Sequence, residues 1–132
     1  MKSVFLLTGF LLFGSFSFSQ KLSTAAQLAN AAYWEEQKKL DSVCNQILEE
    51  YKSDNQFIDN FKKAEKYWVK FRDAQVAMKF LNANTKDINN AQSECIYRDK
   101  LELTKDRIKE LQLWADGIKE NEKCSGSIKV NQ

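Results

Sequence analysis

Apolar side chains recur along this chain at the three-and-four spacing that places them on one face of a helix. The pattern does so in three separate blocks. In the first, from Leu22 to Tyr51, the stripe is Leu28, Ala32, Leu40, Val43, Ile47 and Tyr51, interrupted around Glu35 to Lys39. In the second, Phe57, Phe61, Ala64, Trp68, Phe71, Gln75 and Met78 alternate steps of four and three without a slip. The third repeats this with Tyr97, Leu101, Thr104, Ile108, Leu111, Ala115 and Ile118. Helices are therefore predicted over about 23–51, 55–81 and 87–120. Ser23 or Thr24 can cap the first, Ser53-Asp54-Asn55 supplies turn chemistry after it, and the asparagine-rich 82–90 stretch can cap the third. From Asn121 onward the periodicity stops and a polar tail is expected.

None of these stripes can be buried by its own helix, so the three should close on one another as an all-α, up-down-up bundle. The nearly strict 3.5-residue repeat predicts shallow crossings of about 20°. Composition agrees, because the chain has no proline and only 4 glycines and therefore few helix breakers.

Residues 1–19 read differently. Lys2, an apolar run through Phe13 and a Ser17-Phe18-Ser19 exit form a secretory signal with cleavage before Gln20. An uncleaved anchor is the rival reading, since the uncharged stretch approaches membrane-spanning length. Cleavage leaves one domain, 20–132, in the periplasm or outside the cell.

Charge excludes one class of partner. Loss of Lys2 lowers the net charge from +2 to +1, far from the concentrated basic surface that nucleic acid demands. The middle block is nevertheless locally basic, around Lys62, Lys63, Lys66 and Lys70. With no histidine, the usual general base and the commonest metal ligand are missing. Three scattered cysteines do not make a zinc site. The carboxylate pairs Glu35-Glu36 and Glu49-Glu50 point apart on a helix and face water. No cofactor, no metal and no catalysis are expected, and a small bundle offers little room for an enclosed acid-base cleft.

An exported chain with three cysteines leaves one thiol over. Cys95 lies near the start of the third predicted helix and Cys124 just beyond its end, roughly 40 Å away, so the two are not expected to be joined. In an up-down-up bundle Cys44 and Cys124 approach the same pole. A Cys44–Cys124 bridge is therefore expected, stabilising by roughly 3 to 5 kcal/mol, with Cys95 free or intermolecular.

Several residues carry a more specific signal. Trp68-Val69-Lys70-Phe71-Arg72-Asp73-Ala74, then Glu94-Cys95, then Leu103-Thr104-Lys105-Asp106-Arg107 with Leu111, preceded by Asn45-Gln46-Ile47-Leu48 and Tyr51, together resemble the LprI-type lysozyme inhibitor domain family over about residues 28–114. Trp68, Arg72, Asp73, Glu94, Thr104 and Arg107 match the family motif. Phe71 replaces its tyrosine, Val76 stands where it has a cysteine, and Cys44 where it has a leucine. The resemblance implies an exported helical domain that inhibits a lysozyme by direct protein binding. On that reading the exposed basic group Lys62, Lys63 and Lys66, or Lys86 in the 82–90 connection, is the candidate partner surface. The motif residues have packing roles as well: Arg72 can stack on Trp68 or pair with an acid such as Glu94, and Asp73 can meet Lys70 or another neighbouring cation. The competing reading is an envelope adaptor that binds a different bacterial protein. A membrane-lying helix is weaker, because the core claims the apolar faces.

Overall fold

The computed structural model describes residues 23–81, 83, 89–120 and 124–131. The expected signal segment and Lys86 lie outside these residues. Three helices follow one another: α1 (Thr24–Glu50), α2 (Asn55–Lys79) and α3 (Asn90–Asp116). Each start is held by a side chain that accepts an otherwise unpaired backbone N–H. Ser23 takes that of Ala26, Asp54 that of Phe57 and Asn89 that of Gln92, at 3.2, 2.9 and 2.8 Å.

The cross-links give the topology. Tyr33 of α1 meets Tyr97 of α3 near one end, and Gln46 donates to the Ala115 carbonyl near the other, so α1 and α3 run parallel. Cys44 faces Glu65, and Gln37 faces Arg72, so α2 runs the opposite way. The bundle is up-down-up, with α1 and α3 in close backbone contact and α2 standing off on longer side chains. Leu40, Ile47, Tyr51, Phe61 and Leu111 form the centre of the core.

Two of the three stripes are rotated from their expected positions. On α3, Thr104 and Leu111 are buried as the pattern implies. On α1, Leu28 is 67% exposed while Ala26, Ala29 and Tyr33 are buried. The inward row there passes through half-buried Glu36 and Gln37 instead of breaking at them. On α2 the inward row is Phe57, Phe61, Glu65, Trp68, Arg72 and Val76. Phe71 and Met78 stand outside it, 58% and 75% exposed. The inward α2 steps average nearer 3.8 than 3.5 residues, because two charged residues, Glu65 and Arg72, have counter-charges and ring faces to meet inside.

The third helix stops at Asp116, short of residue 120. Gly117 ends it with φ 73° and ψ −178°, a conformation that side chains rarely tolerate. The chain then folds back as a clasp where a free polar tail was expected. Ile118 and Val130 form an isolated parallel bridge. Lys129 donates its backbone N–H to the Tyr51 hydroxyl at 3.1 Å and its ammonium to the Glu50 carbonyl at 2.8 Å. Trp114 Nε1 donates to Ser127 Oγ at 3.1 Å.

The expected Cys44–Cys124 bridge is not formed, and all three thiols are free. Cys44 turns inward, with Sγ 3.9 Å from Glu65 Oε2, whereas Cys124 is exposed at the start of a clasp that reaches α1 through Lys129.

Candidate functional site

Four of the family-motif residues, Trp68, Arg72, Asp73 and Arg107, meet on the seam between α2 and the α1–α3 pair. Trp68 is the centre of that seam. The Arg72 guanidinium lies over its ring at 5.2 Å and that of Arg107 at 5.9 Å. Arg72 also lies 5.6 Å from the Tyr33 ring, which gives an alternating ladder of Tyr33, Arg72, Trp68 and Arg107. Cations over indole and phenol faces are attracted by the ring quadrupole, more so where water is excluded. Arg72 is itself buried.

Each guanidinium is neutralised locally. Arg72 donates to Asp73 and to the Gln37 side-chain oxygen, both at 3.0 Å. Lys100 approaches the same Asp73 carboxylate at 3.7 Å. Arg107 donates Nε to Glu65 at 3.1 Å and Nη1 to Glu110 at 2.7 Å, with a further Nη2 contact to Glu65. Burial works against the Arg107 charge, but Glu65 and Glu110 outweigh it and hold its pKa above the ordinary guanidinium value. Thr104 is fully buried and satisfies its hydroxyl on the Lys100 carbonyl at 2.7 Å.

The stack of Arg72 on Trp68 is present, while the alternative pairing with Glu94 is not. Glu94 instead holds Arg98, one turn along its own helix, at 2.7 Å. Asp73 takes Arg72 and Lys100 as its cations rather than Lys70. Sequence reading missed Tyr33, Gln37 and Glu65 in this network. The available signal was the step from Phe57 through Phe61 to Glu65, where a carboxylate continues an aromatic row and so points inward.

Little in the seam can do chemistry. Burial, then the Glu65 carboxylate, push the Cys44 thiol up to about 12, so it stays protonated and unreactive. Burial likewise raises the Tyr33 phenol, against the pull of Arg72. The paired carboxylates of α1 are each occupied: Glu35 by Lys38, Glu36 by Lys39, Glu49 by Lys52 and Glu50 by Lys129.

The opposite face of α2 is built differently. Lys62, Lys63, Lys66 and Lys70 are all exposed. Among the described residues none of the four has an ion pair, a state shared only by Lys109 and Lys119 among the other described cations. The one acid within that stretch, Glu65, is turned inward to Arg107. Four uncompensated ammonium groups therefore share about three turns of helix with the exposed Tyr67 and Phe71.

A third feature is an open groove of about 390 Å³ at the clasp end, floored by Phe57, Phe61, Leu111 and Trp114 and rimmed by Asp54 and Asn60. Among the described residues no helix is long and apolar enough to cross a membrane.

Comparison with known proteins adds one finding: the family profile described as "Lysozyme inhibitor LprI" matches residues 18–111. No curated protein and no solved structure matches the chain.

Proposed function

Since the chain belongs to the LprI lysozyme inhibitor family by a match over residues 18–111, we propose that it is an exported inhibitor that binds a lysozyme directly and covers its sugar-binding cleft, without cofactor or turnover. The observation that carries this reading beyond the family is the set of unpaired lysines on α2. The motif residues Trp68, Arg72, Asp73 and Arg107 are engaged at the seam and Thr104 is buried, so they hold the scaffold and leave the outer surface to a partner. Of the surface expected from sequence, Lys62, Lys63 and Lys66 are free to meet a cleft that holds catalytic carboxylates.

A purified 20–132 chain titrated against several lysozymes tests this. Stoichiometric loss of cell-wall hydrolysis is the expected result. Absence of both binding and inhibition at micromolar concentration would favour the second reading, an envelope adaptor, whose supporting observation is the aromatic groove beside the clasp.

A further inference from the structure

The outer face of α2 carries a second apolar row that the fold does not use. Ala64, Tyr67, Phe71, Ala74 and Met78 follow at steps of three and four, and every one is exposed. Tyr67, Phe71 and Met78 are 56%, 58% and 75% exposed. Scattered surface apolar groups need no explanation, but a continuous row of large ones marks a contact surface. Lys63, Lys66 and Lys70 lie in the same turns, with the Lys70 ammonium 5.9 Å from the centre of the Tyr67 ring.

We propose that this ridge is the lysozyme-contact face, with Tyr67 and Phe71 as the anchors that enter the sugar-binding cleft and Lys63, Lys66 and Lys70 facing its carboxylates. This rests on the inhibitor reading above and says where and how the contact is made. A polysaccharide-hydrolysing cleft is concave, carries two carboxylates and offers apolar walls to sugar rings. The ridge is convex and presents two rings and three ammonium groups along about 12 Å of helix. Tyrosine is among the residue types that concentrate binding energy at interfaces, and the lysines beside the row add charge complementarity to carboxylates.

Two other occupants fit the charges less well. A second copy docked ridge to ridge in the antiparallel sense sets lysines against lysines, which is repulsive. An anionic membrane would attract the lysines but meet Asp99, Glu102 and Asp106, which line the α3 side of the valley beside Gln75.

The test compares wild type with Tyr67→Ala/Phe71→Ala, Lys63→Glu/Lys70→Glu and, as a control on α1, Trp34→Ala. Inhibition is measured on a soluble oligosaccharide substrate, and thermal melting is recorded for each variant. The aromatic double variant should melt like wild type and lose at least about thirtyfold in inhibition. The charge-reversed variant should lose about tenfold and much of the salt dependence, while Trp34→Ala changes neither. A competing chitin oligomer should displace the wild-type protein. If wild type inhibits and both ridge variants inhibit equally well, the ridge is the wrong face and the family reading stands. If wild type binds no lysozyme, both fall. If the ridge variants abolish sedimentation with phosphatidylglycerol vesicles yet leave inhibition intact, the ridge belongs to a membrane and the proposal is overturned.

Discussion

Replacing Arg107 with methionine keeps most of its length and removes its charge, which isolates what the ion pair contributes. The Glu65 and Arg107 side chains are only 17% and 12% exposed, so the substitution leaves a carboxylate largely out of water with no cation. Breaking a buried pair in this way costs about 3–5 kcal/mol. Glu65 keeps some access to solvent, which argues for the lower end of that range. Loss of the cation over Trp68 adds about 0.5–1 kcal/mol. The expected total is about 3.5–4 kcal/mol, a large share of the roughly 5–15 kcal/mol that holds a domain folded. At about 4 °C per kcal/mol, where the ranges for smaller and larger domains meet, Tm falls by roughly 15 °C. Urea unfolding followed by tryptophan fluorescence and circular dichroism measures it directly. Glu65→Leu/Arg107→Met should recover most of the loss, since an apolar pair of similar volume leaves no charge stranded. A single-variant cost below about 0.5 kcal/mol, the range of an exposed pair, would refute the buried ladder, as would a double variant worse than the single.

Other outcomes follow from the same geometry. Ile47→Ala should cost about 2–5 kcal/mol in urea unfolding because Ile47 is fully buried, whereas Met78→Ala should stay within about 0.5 kcal/mol. Thiol titration at pH 8 should show Cys95 and Cys124 reacting promptly and Cys44 only on unfolding, since its thiol is pushed up to about 12. Cys44 and Tyr33 both hold their protons to higher pH when folded, so the unfolded chain binds fewer protons in that window. Stability should therefore fall as pH climbs from about 9 toward 12, and Cys44→Ala should remove part of that slope. A Cβ at Gly117 would meet Asn131 Oδ1 at 2.6 Å and the Lys129 carbonyl at 2.9 Å, with φ 73°. Gly117→Ala should cost about 1–3 kcal/mol and release the clasp, read as faster amide exchange at Ile118 and Asn131.

The helices and their order were legible because apolar spacing, caps and the lack of proline all pointed the same way. What the pattern misassigned has a common cause. Counting apolar residues puts Phe71 on the inward stripe and leaves the charged Arg72 off it, whereas Phe71 is exposed and Arg72 buried; only the motif suggested the Arg72 stack on Trp68. Arg72 goes in because Trp68, Tyr33, Asp73 and Gln37 all wait for it, and a one-residue shift on a helix turns a side chain by about 100°. The same shift moved Leu28 out and Tyr33 in. The clasp was invisible for another reason: its contacts join Lys129 to Glu50 and Tyr51 across most of the chain, and no local periodicity records them. The family motif was found as a string, but its role as an internal ladder needed three helices in place.

The central claim is that the motif builds the scaffold while the outer face of α2 meets the partner. Side-chain oxidative footprinting of the protein alone and with lysozyme reads both surfaces in one experiment. Tyr67, Phe71 and Met78 should lose labelling in the complex while Trp34 keeps its own. Unchanged labelling along that row, with protection at Trp34 or Leu113 instead, would contradict the account.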